Sequence, residues 1–171
     1  SAAVKHVFIK LHQDGLIYKD KRLSNWDPKL KTSISDLEVI QKEVKGNLWY
    51  IDYNIEDSDE IITVATTRPE TMLGDTGIAV HPDDERYQKY IGKNAILPIV
   101  NKKIRIVADD YAKADQGSGA VKITPAHDFN DFEVGKRNNL EVINIFDERA
   151  CLNENVPKKY QGLDRYVVRD M

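Results

Sequence analysis

The feature that most constrains the fold of this chain is a run of short, β-branched, apolar segments with few and brief helical stretches between them. Ile61–Thr66, Gly77–Val80, Ala95–Val100, Lys103–Ala108, Ala120–Thr124 and Val142–Phe146 each read as strands of a few residues. Leu37–Lys45 and Leu48–Ile55 alternate on either side of Gly46-Asn47, which predicts a hairpin. Helical spacing is confined to Val4–Asp14, Glu70–Leu73, Glu85–Tyr90 and Asp128–Asn138, while Leu23–Thr32 reads as an irregular connection. Strands and helices do not alternate regularly, so a doubly wound parallel sheet is excluded. The expected fold is α/β and β-rich, with a barrel-like, mostly antiparallel core and short peripheral helices.

With 171 residues, the chain is long enough for one domain with a real core. Residues 1–34 and 153–171 are expected to be linker-proximal flanks. Composition removes several function classes. Cys151 is the one cysteine, so neither an internal disulfide nor a thiolate metal cluster can form, and the cytoplasm is the default compartment. No apolar stretch reaches membrane-spanning length, so no membrane partner is expected. The net charge of -3 argues against a broad duplex-binding surface. Lys19, Lys21 and Arg22, Lys102, Lys103 and Arg105, and Lys158 and Lys159 form local basic clusters that solvation alone explains.

Two segments carry chemistry. The first, Ala65-Thr66-Thr67-Arg68-Pro69-Glu70-Thr71-Met72-Leu73-Gly74-Asp75-Thr76, follows a strand directly. Thr67 and Glu70 have capping-box spacing and Pro69 suits a first helical turn, which accounts for those residues without any function. Capping does not explain why Thr66, Arg68 and Thr71 crowd the same turn. Hydroxyls, a guanidinium and free N–H groups at a helix start can cradle a polar substrate or an oxyanion. The second segment runs from Gly117 to Asp131. Strand alternation puts Lys122 and Thr124 on one face, towards a cavity or solvent, and Val121 and Ile123 on the other. Asp128 suits an N-cap and Asp131 complements the helix dipole, while His127 reads as a loop residue with a base role open. Each residue has an ordinary structural explanation; their convergence on one strand–helix junction points to a site. Gly-x-Ser-x-Gly, Walker, His-Glu-x-x-His and Cys-x-x-Cys patterns are missing, which leaves no nucleophilic serine or cysteine and no zinc set.

The run Thr66–Thr76 resembles the threonine-rich segment of the editing insertion shared by valyl-, isoleucyl- and leucyl-tRNA synthetases. Gly119–Asp131 is similar to the valyl version in particular; Lys122 and Thr124-Pro125-Ala126-His127-Asp128 favour it over the other two. Ser24–Leu30 and Ser35–Val39 resemble the start of that insertion, and Gly162-Leu163-Asp164-Arg165 its end. The resemblance implies a post-transfer editing hydrolase that clears the threonyl ester from mischarged Thr-tRNA(Val). Its partners would be the aminoacylated 3′ end of tRNA(Val), the threonine moiety and the rest of a synthetase chain. No cofactor is implied for this domain; ATP and Mg would serve a synthetic region outside it. By resemblance the catalytic group is Thr71, Lys122, Asp128 and Asp131, and the substrate-binding group is Thr66, Thr67, Arg68, Glu70, Thr124 and His127. Asp131 would hold the α-ammonium group. Lys122, Thr124 and Asp128 would read the threonine hydroxyl, with that task undivided among them, and Thr66, Thr67 and Thr71 would bind the terminal adenosine or position water. Gln116 departs from the valyl pattern, which tends to an aromatic there. A non-catalytic module holding an RNA 3′ end, and an isoleucyl or leucyl editing domain, are the alternatives.

Overall fold

Helix α1 (Ala2–Gln13) starts where the Ser1 hydroxyl accepts from the Val4 N–H. None of its residues is buried; Val4, Val7 and Phe8 stay exposed. The computed structural model describes residues 1–171. Beyond α1, the stretch expected to be irregular contains a small hairpin, β1 (Asn25–Asp27) against β2 (Thr32–Ile34). Trp26 anchors it by donating its indole N–H to the Glu148 carbonyl at 2.8 Å.

The main sheet comprises β3 (Trp49–Ile55), β4 (Ile61–Thr66), β5 (Gly77–Val80), β6 (Asn94–Ile96), β7 (Lys103–Ala108) and β8 (Ala120–Ile123). Its spatial order is β4-β3-β6-β7-β5-β8, antiparallel throughout except for the parallel β5–β7 pair. The two ends of that order, β4 and β8, pack against each other, so the sheet is barrel-like and nearly closed. Few helices accompany it, and they are short. This is the β-rich α/β class expected. No helix is long and apolar enough to cross a membrane.

Tyr53, Ile62, Val64, Ile78, Val80, Leu97, Ile104 and Ile106 fill the enclosed core. A smaller cluster of Ala79, Val107, Ala112, Ile123 and Val134 lies on the other side of the sheet, under α2 (Phe129–Arg137). All four residues of β5 are therefore buried, which is why that strand reads as a continuous apolar run instead of alternating. Each fully buried aliphatic side chain here contributes about 1.5–3 kcal/mol.

Several sequence expectations need correction. Leu37–Lys45 forms no strand. Ser35 and Glu38 close a capping box over a 3-10 turn at Asp36–Glu38, and Leu37, Ile40 and Val44 remain exposed. The partner of β3 is β4, across a turn in which Asp57 takes a left-handed φ of 55°. That pairing puts Tyr53 opposite Ile62, both buried, whereas no residue of Leu37–Lys45 is buried. Val142–Phe146 is not a strand either. The Ile145 N–H goes to a ring nitrogen of His127 and its carbonyl accepts from Asn153, so no continuous ladder forms. Pro69–Gly74 and Gln88–Tyr90 are 3-10 turns. In the 153–171 flank, Val156 and Tyr160 enter the main core, and a short helix α3 (Arg165–Arg169) starts at an Asp164 N-cap.

Candidate functional site

Closure of the sheet brings the two conspicuous segments together. The threonine-rich loop leaves β4 at Thr66, and β8 runs past it to Thr124 before Pro125 and the start of α2. Gly117 and Gly119 hold positive φ of 56° and 85° in the turn that feeds β8. A Cβ on Gly117 would lie 2.8 Å from that of Ala65, so the two segments touch here because position 117 carries no side chain.

Lys122 forms the floor of the resulting cavity. Its side chain is 7% exposed, and its ammonium donates to Thr71 Oγ1 at 2.8 Å, to Asp75 Oδ1 at 3.0 Å and to Thr124 Oγ1. Asp75, with no exposed surface, also accepts from the Thr124 hydroxyl at 2.5 Å and from Tyr53 Oη at 2.7 Å. Burial pushes the Asp75 carboxyl up, and Lys122, Thr124 and Tyr53 oppose it. The Thr71 hydroxyl donates to the Arg68 carbonyl at 2.9 Å. Every ammonium hydrogen is thus matched by an acceptor, and both threonine hydroxyls have committed their protons. What the two hydroxyls still offer a ligand is acceptor capacity.

Asp131 stands on the wall, in the first turn of α2. One carboxylate oxygen accepts from the Thr124 N–H at 2.9 Å and the other has no partner within the protein. Burial raises its pKa to about 6, helped by Asp128 and Asp75 and opposed by the Thr124 N–H and Lys122. A ligand cation beside it would restore the ionised form. Asp128 caps α2, accepting from the N–H groups of Asn130 at 2.8 Å and Asp131 at 3.2 Å. Leu48, Ala65, Thr66, Thr67, Arg68, Tyr111, Val121 and His127 complete a cavity of about 240 Å³. Beside it lies a broader groove of about 850 Å³, which shares Arg68, His127 and Asp128 with the cavity.

All the expected site residues except Glu70 line this one cavity. Glu70 is buried, turned away, and paired with Arg169 of α3. This also removes the expected Thr67–Glu70 capping box; the 3-10 turn has Arg68 at its N-cap and no side-chain cap. Lys122 and Thr124 share a face as the alternation predicts, but neither is at the surface. The geometry gives no support to the base role left open for His127. Its Nε2 already accepts from the Ile145 N–H at 3.0 Å, and burial, then Arg68 and Lys122, lower its pKa to about 3. Gln116 is exposed and outside the cavity; Tyr111 is the aromatic on the wall.

Sequence reasoning passed over Asp75, Tyr53 and Tyr111. For Asp75 a signal existed: a lysine on a face next to a buried strand needs an anion, and the threonine-rich run ends in one. The arrangement as a whole can hold a small cationic group at Asp131 and a hydroxyl at the Lys122 cluster. It has no activated nucleophile, and no group of three or more His, Cys, Asp or Glu side chains could hold a metal ion.

Comparison with known proteins places the chain in a family. A family model described as tRNA synthetases class I (I, L, M and V) matches residues 1–166. A valine–tRNA ligase of Pelagibacter ubique is 62% identical over 169 residues, covering 99% of this chain and 19% of that protein. One from Bartonella henselae is 66% identical over 194 residues, covering 99% of this chain and 21% of its own length. The chain therefore spans about a fifth of the curated relatives it matches. Among solved structures, the LeuRS–tRNA–LeuAMS ternary complex of Agrobacterium radiobacter K84 aligns with a TM-score of 0.56. The match has 21% identity and covers 74% of this chain and 18% of that one, a likeness of fold.

Proposed function

The chain belongs to the class I tRNA synthetases of the I, L, M and V group, and from that premise we propose that it is the editing domain of a valyl enzyme, hydrolysing Thr-tRNA(Val). The observation that carries this reading is the pocket floor: a buried Lys122 whose hydrogens are all taken by Asp75, Thr71 and Thr124. The two hydroxyls of that floor accept but have no proton to give, so the site favours a ligand hydroxyl that donates. Threonine brings such a hydroxyl and valine does not. A site built to pair with a hydroxyl rejects the analogue without one, because its polar groups are left desolvated and unpaired. The synthetic pocket has no such lever, since an apolar site rejects an added hydroxyl poorly, a limit for which valine against threonine is the familiar case.

Asp131 receives the α-ammonium through its unpartnered oxygen, a charge-assisted contact that selects an aminoacyl ester. Water adds to the ester carbonyl, the bond to the ribose oxygen breaks, that oxygen takes a proton, and threonine leaves as the acid. His127 is not the base, so positioning by Arg68, Thr66, Thr67 and Thr71 and a preorganised field supply the rate. The valyl relatives support valyl over isoleucyl or leucyl specificity. Partners follow: the aminoacylated 3′ end of tRNA(Val) and the remainder of a cytoplasmic synthetase, where ATP and Mg would act. The test is deacylation of Thr-tRNA(Val) and Val-tRNA(Val) by this chain. The threonyl ester should be cleaved and the valyl ester spared. Equal rates, or binding without cleavage, would refute editing and favour a passive RNA-end module.

A further inference from the structure

Glu70 lies in the middle of the threonine-rich turn yet does not line the cavity. It is 1% exposed and receives a two-pronged contact from Arg169, whose Nε donates at 2.9 Å and whose Nη2 reaches the other carboxylate oxygen. Arg169 is 99 residues further along the chain, on α3, which is pinned to the main core by Val168 and flanked by the Tyr166 ring 5.2 Å from the guanidinium. A second guanidinium is also within reach of Glu70. Arg68 Nε lies 3.8 Å from Glu70 Oε1, while Arg68 Nη1 donates to the His127 carbonyl at 2.8 Å and the side chain lines both the cavity and the broader groove.

Two arginines thus flank one buried carboxylate, and only one of them, Arg68, faces the site. Taking the hydrolase reading as given, we infer that Arg169 is a positioning residue. It satisfies Glu70 so that Arg68, which meets the carboxylate only as a long ion pair at 3.8 Å, stays on the cavity rim instead of closing on it with hydrogen bonds. A buried carboxylate left without a partner draws in the nearest cation, since the interior penalises an uncompensated charge heavily. Arg68 is the nearest cation, and its loss from the rim would open the contact with His127 and leave the cavity without a guanidinium. The helix that closes the domain is in this way part of the site, although no atom of it touches the cavity.

The test uses three variants of this chain: Arg169→Ala, Glu70→Gln and the double variant. Each is assayed on Thr-tRNA(Val), with KM and kcat resolved and thermal unfolding followed on the same preparations. Arg169→Ala should raise KM by about tenfold or more with a smaller change in kcat, since the rim contact positions substrate without reacting. Glu70→Gln alone should stay near wild type, because a neutral amide gives Arg68 no reason to move. The double variant should return KM to within about threefold of wild type, since the charge that would capture Arg68 is gone. A plain structural clamp makes the opposite forecast: both single variants lose activity and the double variant is no better. That result, or an Arg169→Ala enzyme with unchanged KM, overturns the inference. Arg169→Gln replaces alanine in the same scheme if the alanine variant does not fold. An inactive wild-type chain would instead refute the hydrolase reading, so the two failures are distinguishable.

Discussion

Replacing Asp75 with asparagine isolates the ion pair on which the pocket floor depends. The amide keeps the shape and an acceptor for Tyr53, but removes the negative charge facing Lys122. Both side chains are sealed off, at 0% and 7% exposure, so solvent cannot take over the lost interaction. Removing one partner of a buried pair costs about 3–5 kcal/mol, because the other charge remains buried and uncompensated. In a chain of 171 residues each kcal/mol corresponds to about 2–4 °C, which gives a melting point lower by roughly 6–20 °C. Lys122→Met should cost a similar amount. The double variant Asp75→Asn/Lys122→Met should recover much of the loss, since neither member of the pair then leaves an uncompensated charge buried. Hydrolysis of Thr-tRNA(Val) should not recover with it. Urea unfolding of the four proteins, with deacylation measured on each, checks both halves. If the two single-variant losses simply add in the double variant, the pair is not coupled and the account of the floor is wrong.

Asp131 gives a prediction with two signs. A carboxyl raised from 3.8 to about 6 in the folded state favours folding below its unfolded pKa, and that contribution is lost as pH rises through 6. Asp131→Asn should therefore be more stable than wild type at pH 7, by up to about 3 kcal/mol, with the gap closing below pH 4. The same change should cut hydrolysis by a factor of tens to thousands, and the rising limb of kcat/KM near pH 6 should vanish; an unaltered pH profile would remove Asp131 from the substrate contact. Thr124→Val should slow threonyl cleavage while narrowing its lead over valyl cleavage, whereas a merely structural residue would slow both in proportion. For His127 the shift runs downward, so its contribution is present above pH 6.5 and lost as pH falls towards 3. Imidazole resonances still neutral at pH 5 would agree, and a titration near 6.5 would not.

Local patterns were enough to read much of this fold. β5, β7 and β8 came from apolar runs, α1 and α2 from spacing, and the cap at Asp128 from its position before a helical stretch. What failed was pairing. The Gly46-Asn47 signal is locally good for a hairpin, but burying Ile62 and Val64 against β3 outweighs it, and only the closed sheet makes that burial possible. The site divides the same way. Lys122, Thr124, Asp128 and Asp131 are legible because they sit on one strand–helix junction. Arg169 is not, because its role depends on a partner 99 residues away, and Asp75 shows only through its need to neutralise a lysine 47 residues further on. Glu70 was misplaced for the same reason: spacing within the turn cannot show which way a side chain turns when its partner is on α3.

The one parallel pairing in the sheet bears on how the cavity comes into being. β5 and β7 run side by side, and the return between them takes in β6 and the turns around it before β8 closes on the far side of β5. Hairpins such as β3–β4 can form early from neighbouring sequence, but Lys122 meets Thr71 and Asp75 only after that long excursion has been closed. Loop closure across such separations is the slow part of folding topologies rich in distant contacts. In a refolding chain, secondary structure would return before the cavity is complete, and the interval between them would measure how late the last strand docks.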